Sequence, residues 1–414
     1  MSTMQQIKQI DIREQNLKNV YDYVLHSSGS SRAKIAKALE LSRPSSSSLV
    51  DELLSMGALF EDGKEEGERG VGRTPIVIRA DFRRHFCIVL FWKPKRISAS
   101  VVSMAQDKSG AERVLESLEW PVSSAKDYGK CSLSLLRDFK NKYENVYGKD
   151  KYLGSVLVLP GIVDPLRRAV LSHPLGIDLE TGRRIISEIE ESGENSVGIL
   201  NDNAILGYAA MQRLNLQEKN FLYINLSTGI GAAYFMKGEI FGDAGGKLTQ
   251  FGHIIVHPGG SLCSCGAHGC LEAEIGERAL QEQFASYFGK EELQPLLEGE
   301  FLRKIIDGRK KAEGVYTAVK EKFLKDLSLA ISNVSTMVFP DLILLGGFFS
   351  LWGEDFLEEL KAEINRIGFS YIMQDLHLLY SKEEKEELQA AAADYFFSRY
   401  FHFTERKIEG IHLG

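Results

Sequence analysis

The sequence predicts an α/β protein that consists of a small helical head and a larger body of two lobes. Residues 1–80 show successive helical patterns followed by a strand, a glycine-rich turn and a second strand. From residue 81 onward, strands rich in Val, Ile, Leu and Phe alternate with helical segments, which is the pattern of α/β proteins. A chain of 414 residues is also too long for one ordinary hydrophobic core.

The composition is that of a globular protein, with 44% hydrophobic residues, 26% charged residues and a net charge of −7. Residues 1–80 contain 11 Lys and Arg against 11 Asp and Glu, so the excess negative charge lies in the body. This balance excludes a chain coated in positive charge, but it leaves room for a small nucleic-acid-binding module. The polar N-terminus and the absence of a long apolar run predict a cytoplasmic protein with no membrane partner. In that compartment clustered cysteines indicate metal or redox chemistry more often than disulfides.

Three helical patterns in the head fit a helix-turn-helix. The first, "REQNLKNVYDYVLHSSG", has one apolar face and stops at Gly29, and the second, "SRAKIAKALELS", begins with Ser31 as its N-cap. A tight turn leads to "SRPSSSSLVDELLSMG", which Ser42 can cap and in which Pro44 suits the first turn. Two short helices across a tight turn, the second with a polar leading end, are typical of DNA-binding heads.

The serine run of the third helix and the strands after it predict the DNA-facing surface. Short hydroxyls let a helix approach DNA closely and donate to phosphates or base edges, although a solvated loop is the alternative. The segment "ALFEDGKEEGERGVGRTPIVIRAD" predicts a wing whose "RGVGRTP" places arginine in a narrow minor groove. An ordinary hairpin tip is the alternative there, and three nearby glutamates favour it. The predicted DNA-binding residues are Ser42, Arg43, Ser45, Ser46, Ser48, Arg69 and Arg73.

The segment "HPGGSLCSCGAHGCLE", residues 257–272, holds three of the five cysteines. Three thiolates and one imidazole form a closed tetrahedral set that suits structural zinc. The available donors are the thiolates of Cys263, Cys265 and Cys270 and the imidazole of His253, His257 or His268. The alternative is three reduced thiols on a glycine-rich loop.

Five segments of the body carry motifs that belong together in one known family. They are "LVLPGIVDP" (157–165), "LNDNA" (200–204), "STGIGAAYFMKGEIFGDAGG" (227–246), "FGHIIVHPGGSLCSCGAHGCLEAEIG" (251–276) and "PDLILLGGFFS" (340–350). The most specific motif is a Gly-His pair with Cys-x-Cys-Gly-x-x-Gly-Cys-Leu-Glu beginning ten residues after the His. Over about residues 85–395 the body resembles the ROK family, named for repressors, open reading frames and kinases. With its winged head, the chain resembles the repressor branch, typified by regulators that respond to xylose, N-acetylglucosamine or glucose.

The resemblance implies the two-lobed fold of the sugar-kinase, hexokinase and actin group. It suggests a winged helix-turn-helix domain over residues 1–80 and a first lobe over residues 81–195. A C-terminal helix over residues 385–414 is expected to pack back on that first lobe. The second lobe, with the zinc loop, is expected over residues 196–384.

The resemblance also implies a set of ligand-binding residues. It selects His253 as the fourth zinc ligand, so that one ring nitrogen binds the metal and the other is free for a ligand hydroxyl. In similar proteins a sugar is held by an Asn-Asp pair, by Glu and His of a Glu-x-Gly-His motif and by the Glu after the last Cys. The matching residues here are Asn201, Asp202, Gln250, His253 and Glu272. Gln250 departs from the family pattern, which indicates a ligand other than a neutral hexose or weaker binding. Alternatively, the Asn-Asp pair caps a helix and the last Glu is a surface charge.

Together these features predict a transcriptional repressor of carbohydrate-utilisation genes with no catalytic residues. It would bind operator DNA as a homodimer or higher oligomer and respond to a sugar or sugar derivative. The kinase alternative keeps the "STGIG" turn, with Asp202 as the base. However, the first phosphate turn of family kinases falls at "VLFWKPKRISA", which lacks glycine and acid, and Phe348 replaces a glycine in the nucleoside region. A third hypothesis is a body that only docks a protein partner.

Overall fold

The computed structural model describes residues 2–27, 29–64, 75–82, 85–105, 109–194, 196–227, 229–283, 300–308 and 313–414. Arg69 and Arg73, which the sequence places in the wing, lie outside the described residues. Within the described part of the chain, no helix is long and apolar enough to cross a bilayer.

The head is a winged helix-turn-helix, as the sequence predicts. Its elements are α1 (Ser2–His26), α2 (Arg32–Ala38), α3 (Arg43–Ser55), β1 (Leu59–Lys64) and β2 (Ile76–Ala80). The side chain of Ser42 accepts a hydrogen bond from the Ser45 amide and caps α3. Buried residues of α1, such as Leu17, pack in one core with Leu49 and Val50 of α3. Strands β1 and β2 pair antiparallel behind these helices.

The body begins with strands and helices that alternate along the chain. The elements up to the middle of the chain are β3 (Phe86–Lys93), β4 (Arg96–Ser103), α4 (Gly110–Arg113), β5 (Val114–Pro121), α5 (Tyr128–Tyr147), β6 (Tyr152–Leu159), β7 (Ile162–Asp164), β8 (Ala169–Leu171), α6 (Leu179–Glu191) and β9 (Ser196–Asn201). The next group is α7 (Asp202–Leu214), β10 (Asn220–Leu226), β11 (Ile230–Met236), β12 (Glu239–Ile240), α8 (Leu271–Ile275), α9 (Glu277–Gln283) and α10 (Glu300–Asp307). The last group is α11 (Glu313–Val338), β13 (Leu342–Gly347), α12 (Glu354–Ile367), α13 (Ser370–Met373), β14 (His377–Tyr380), α14 (Lys385–Tyr400) and β15 (Gly410–Leu413).

The first lobe is built on a sheet with the strand order β15-β9-β6-β3-β4-β5. Strands β15, β9, β6 and β3 are parallel, so their carboxyl ends meet at one edge of the sheet. Asn201 is the last residue of β9 and therefore lies at this edge, where parallel sheets commonly bind ligands.

Two details differ from the expected division of the chain. Strand β9 belongs to the first-lobe sheet, so the change of sheet falls after Asn201 and not at residue 195. The helix expected over residues 385–414 ends at Tyr400, where Phe401 takes up an extended conformation. The chain then forms β15, which adds a parallel strand beside β9.

The second lobe is built on a sheet with the order β12-β11-β10-β13-β14, in which β10, β13 and β14 are parallel. Helix α7 connects the two lobes. Its first turns, with Ala204 and Ile205, pack in the core that the head shares with the first lobe. Its later residues Ala210 and Met211 pack on strands of the second lobe.

Candidate functional site

The three clustered cysteines and His253 lie together on the second lobe. The imidazole and the thiols of Cys263, Cys265 and Cys270 place their donor atoms within 4.8 Å of one another. His253 Nδ1 is 3.4 Å from Cys263 Sγ, and the Sγ atoms of Cys265 and Cys270 are 3.7 Å apart. None of the cysteines is in a disulfide within the described residues.

These distances fit a tetrahedral zinc ion. With Zn–S near 2.3 Å and Zn–N near 2.0 Å, the edges of the tetrahedron are about 3.8 Å between sulfurs and about 3.5 Å between sulfur and nitrogen. The observed separations of 3.7 Å and 3.4 Å match both edges. Four protein donors would leave no open position, so a bound zinc would fix the shape of the loop and would not activate water.

The thiols of this cluster compete for protons. Burial and the neighbouring thiols of Cys265 and Cys263 raise the pKa of Cys270 to about 12. Burial also acts on Cys265, but hydrogen bonds, led by the one from the Ala267 amide, outweigh it and lower the pKa of that thiol. A metal ion would relieve this competition by holding all three sulfurs as thiolates.

The other two histidines of the segment have different partners. His257 Nε2 is 2.8 Å from Asp326 Oδ1, and Asp326 is buried on α11. Lys322 donates to Asp326 and to Glu274 at 3.0 Å each, so its ammonium group occupies the centre of this acidic cluster. His268 Nδ1 donates to the Gly260 carbonyl at 3.0 Å. Of the three imidazoles that chemistry alone leaves open, the one beside the cysteines is His253.

The cysteine segment, residues 257–270, is folded closely on itself and anchored to the second lobe. Gly269 adopts a positive φ of 77°, and a Cβ there would stand 1.6 Å from the His257 carbonyl oxygen. Only glycine permits this approach. The Glu274 carboxylate accepts a hydrogen bond from the Ser261 amide at 2.8 Å. The segment is therefore held by His257 at its start and by Glu274 near its middle.

Asn201 and Asp202 lie where β9 passes into α7. The Asn201 side chain is buried and already engaged, since its oxygen accepts from the Ala204 amide at 3.2 Å and caps α7. Its Nδ2 donates to the Gly161 carbonyl at 2.6 Å. The half-buried Asp202 accepts from the amide and side chain of Asn203. The capping role that the sequence leaves as an alternative therefore applies to Asn201.

Gln250 and Glu272 reach the same region from the second lobe. Gln250 Nε2 donates to the Gly246 carbonyl at 2.6 Å, and Gly246 lies against the Asn201 side chain. Glu272 accepts from the Ile230 amide at 2.9 Å, within the "STGIG" turn. These hydrogen bonds fix the two side chains before any ligand arrives.

Sequence reasoning missed a residue that links the two halves of this region. The Asn203 side chain lies against Gly231, since a Cβ on Gly231 would stand 2.3 Å from Asn203 Nδ2. Asn203 thereby brings the start of α7 to the turn that Glu272 holds. The motif "LNDNA" contained the signal, since its second Asn follows the Asn-Asp pair directly.

The predicted DNA-facing residues of α3 separate into two groups. Ser42, Arg43, Ser45 and Ser48 are exposed. The prediction for Ser46 is wrong, because Ser46 is fully buried and its Oγ donates to the Arg32 carbonyl at 3.3 Å. Helical spacing explains the difference, since residues 46, 49, 50 and 53 form the buried face of α3.

Comparison with known proteins supports the assignment of the fold. The chain is 25% identical over 369 residues to a putative xylose repressor of Caldicellulosiruptor sp. strain Rt8B.4, which covers 82% of this chain and 84% of that protein. The crystal structure of a ROK family transcriptional regulator, a homolog of the Escherichia coli MLC protein, superposes with a TM-score of 0.75 and 19% identity. That match covers 94% of this chain, head included, and 97% of the other.

A kinase matches about three quarters of this chain. A ROK family glucokinase from Streptomyces griseus, solved with glucose and AMPPNP, superposes with a TM-score of 0.57 and 19% identity, over 75% of this chain and 98% of the kinase. The kinase therefore aligns with a smaller part of this chain than the regulator does. The model of the ROK family matches residues 112–393 of the sequence, a span that includes the cysteine segment and parts of both lobes. This chain belongs to the ROK family.

Proposed function

We propose that this protein is a repressor of carbohydrate-utilisation genes, which binds operator DNA with its head and a sugar or sugar derivative with its body. One observation carries this proposal most strongly. The winged helix-turn-helix and the ROK body form a single chain with a continuous core, in which Leu17 and Val50 of the head join Phe396 and Val156 of the body. The match to a protein named putative xylose repressor over most of both chains supports the same conclusion.

The DNA contacts are assigned to the leading end of α3 and to the wing. The assigned residues are Ser42, Arg43, Ser45 and Ser48 of α3 and Arg69 and Arg73 of the wing. Ser46 is excluded because its hydroxyl is committed inside the head. One such module buries little DNA surface, so we expect a homodimer or higher homo-oligomer on a two-part operator.

The effector site is assigned to the region between α7 and the cysteine segment. Its ligand-binding residues are Asn201, Asp202, Gln250, His253 and Glu272. A structural zinc held by His253, Cys263, Cys265 and Cys270 would fix the imidazole by its Nδ1 and leave Nε2 for a ligand hydroxyl. Side chains that are already oriented lose little entropy on binding, and an unpaired polar group costs about 1–3 kcal/mol, which favours one sugar over its epimers.

A sugar kinase is the second candidate, and the turn between β3 and β4 disfavours it. Phosphate loops need open glycine-rich backbone. Here the turn is Pro94-Lys95, and Tyr128 OH donates to the Lys93 carbonyl at 2.6 Å and accepts from the Lys95 amide at 3.1 Å. The preceding Trp92 is buried, with its Nε1 donating to Ser132. Phe348 is partly buried against the apolar core of the second lobe that contains Leu226 and Leu302. We therefore propose a protein without kinase activity.

The proposal can be tested before the operator or the sugar is identified. DNA selected from a random library by the purified full-length chain supplies a binding fragment, and a thermal-shift panel of sugars and sugar phosphates supplies an effector. We expect selected DNA to bind tightly and one sugar class to alter that affinity. Failure to enrich any DNA, or ATP-dependent phosphorylation of a sugar in a coupled assay, would overturn the proposal.

A matched pair of variants tests the assigned DNA surface. Arg43→Ala should weaken binding to the selected fragment by about tenfold, the equivalent of about 1.4 kcal/mol, because it removes an exposed cation at the leading end of α3. Arg137→Ala removes an exposed arginine from α5 of the body and should leave the affinity unchanged. If both variants bind the selected DNA fragment with equal affinity, the leading end of α3 does not contact DNA.

A further inference from the structure

The head is joined to the body by a buried carboxylate that belongs to neither site. Glu14 on α1 is only 8% exposed. Its Oε1 accepts from the Phe403 amide at 2.9 Å, and its Oε2 accepts from the Thr404 amide at 2.8 Å. Both oxygens thus hold the segment that follows α14. A charged acceptor with two amide donors fixes distance and direction, which apolar contacts alone do not.

The same segment is anchored by aromatic rings on either side of this contact. The ring centroids of Tyr21 and Phe403 are 5.2 Å apart, and those of Tyr21 and Phe397 are 5.8 Å apart. Phe82, at the end of the head, packs edge-on against Phe397 at 4.9 Å. The junction between head and body is therefore a packed interface and not a free linker.

Beyond this junction the segment runs to the effector site. Strand β15 follows β9 in parallel register, and the Gly414 amide donates to the Ile199 carbonyl at 2.9 Å. Gly414 lies against Gly245, where a Cβ on Gly414 would stand 3.1 Å from Gly245 Cα. The neighbouring Ala244 carbonyl accepts from the Asn201 amide at 2.7 Å. Residues 401–414 thus touch the head at one end and the surroundings of Asn201 at the other.

On the head side, the next residue of α1 reaches the DNA-binding helix. Arg13, adjacent to Glu14, forms an ion pair with Glu52 of α3. Adjacent residues of one helix turn therefore contact the C-terminal segment and α3. A shift of residues 403 and 404 would move α1, and α1 would carry α3 with it because the two share a buried face.

We propose that residues 401–414, attached to the head by Glu14, transmit effector binding to α3 from the region between α7 and the cysteine segment. Glu14 is a positioning residue in this scheme, since it contacts neither sugar nor DNA. The inference rests on the proposed function. It adds a route by which the effector site and α3 are coupled, through a segment with contacts at both ends.

Glu14→Gln tests the route, because the amide group presents a donor where a second acceptor is needed. Coupled sites change each other's affinity by about 5- to 150-fold. In the variant we expect the sugar to alter affinity for the selected DNA fragment by less than about twofold, while sugar affinity itself stays as in the wild type. The control variant is Glu409→Gln, which removes the same charge from an exposed carboxylate in residues 401–414 that pairs with Lys407. It should respond to sugar as the wild type does.

Hydrogen exchange gives a second readout that does not need DNA. Sugar should change the protection of amides in α1 and α3 of the wild type and not of Glu14→Gln. Phe403→Leu keeps an apolar side chain but loses the ring contact with Tyr21. It should also reduce the change in amide protection that sugar causes in α1 and α3.

Three outcomes would overturn the inference. If Glu14→Gln and Phe403→Leu both respond to sugar as the wild type does, the segment does not couple the sites. If both lose sugar binding, the contact serves the fold of the body and not its communication with the head. Wild-type protein that binds neither selected DNA nor any sugar overturns the proposed function first, and this inference with it.

Discussion

The cysteine segment, residues 257–270, and the turn between β3 and β4 are both sharp reversals of the chain, but they are held in opposite ways. The turn has two residues, Pro94 and Lys95, closed by the pairing of Lys93 with Arg96 and by Tyr128. The cysteine segment is fourteen residues long, lacks regular pairing over most of its length, and depends on side chains outside it. The short turn is fixed by its own strands, whereas the long segment is fixed by its contacts with Asp326 and Glu274.

The two reversals differ in how much conformational freedom the chain loses when they form. A hairpin of two residues has little freedom to lose, and its bulky side chains leave no open backbone. A long glycine-containing segment has much freedom to lose, so its order must come from specific partners such as Asp326. Removal of one partner should therefore affect the segment much more than the turn.

The largest effect is expected from Asp326→Ala. The change leaves the partly exposed His257 without its partner and Lys322 with Glu274 alone, and breaking this hydrogen-bonded network should cost about 3 kcal/mol. Urea unfolding of the full chain measures the loss. Glu363→Ala removes a carboxylate paired with the exposed Arg366 and should cost less than about 1 kcal/mol. Similar losses in the two variants would contradict the anchoring role of Asp326.

Cys265→Ser should abolish metal binding and with it the response to sugar. Elemental analysis is expected to show about one zinc per wild-type chain and a clear loss in the variant. A sugar at 100 times its Kd stabilises the wild type by about 2.7 kcal/mol, and this gain should disappear. Cys131→Ser, on α5, should keep both properties. Wild-type protein without zinc would show that the donor set serves another purpose.

A smaller effect is expected from Tyr128→Phe. The variant loses hydrogen bonds to the Lys93 carbonyl and from the Lys95 amide, worth about 1–3 kcal/mol together, while its ring still packs on Trp92. Thermal unfolding measures the difference. Tyr371→Phe, at an exposed tyrosine, should change stability by less than about 0.5 kcal/mol. A loss in Tyr128→Phe as large as in Asp326→Ala would erase the contrast between turn and segment.

The smallest effect is expected from Lys95→Gly. Lys95 has a positive φ of 61°, a conformation that glycine adopts without strain, but glycine also gains freedom in the unfolded chain. The relief of strain in the folded state and the extra entropy of the unfolded chain oppose each other, so the free energy of unfolding should change by less than about 1 kcal/mol. A coupled assay of ATP consumption should stay at background in this variant and in the wild type. Sugar-dependent ATP consumption by the variant would mean that this turn alone excludes the nucleotide.

Local signals made much of the head predictable. Ser42 and Pro44 mark the start of α3, and the structure places the cap where these residues indicate it. The burial of Ser46 follows from its helical spacing to Leu49 and Leu53, which outweighs the polarity that it shares with its serine neighbours. Helical periodicity was the stronger signal there.

Other features depend on residues far apart in the chain, which a sequence alone does not bring together. Of the three imidazoles, His253 lies beside the cysteines, whereas His257 pairs with Asp326, 69 residues away. The contact of Glu14 with Phe403 spans 389 residues, and β15 pairs with a strand more than 200 residues earlier. Such pairings are set by tertiary packing, so the sequence predicted the cysteine cluster but not the contacts that join the body to the head.

The shared core of head and body also limits how the protein can be taken apart. A fragment that ends near Phe82 would expose the apolar flank of α1 at Tyr21, whose ring packs against Phe397 and Phe403 of the body. The head is therefore not an independent domain that can be joined to a different body without loss of packing. A chimera of this head with another body would leave such apolar side chains exposed, and exposed apolar patches promote aggregation.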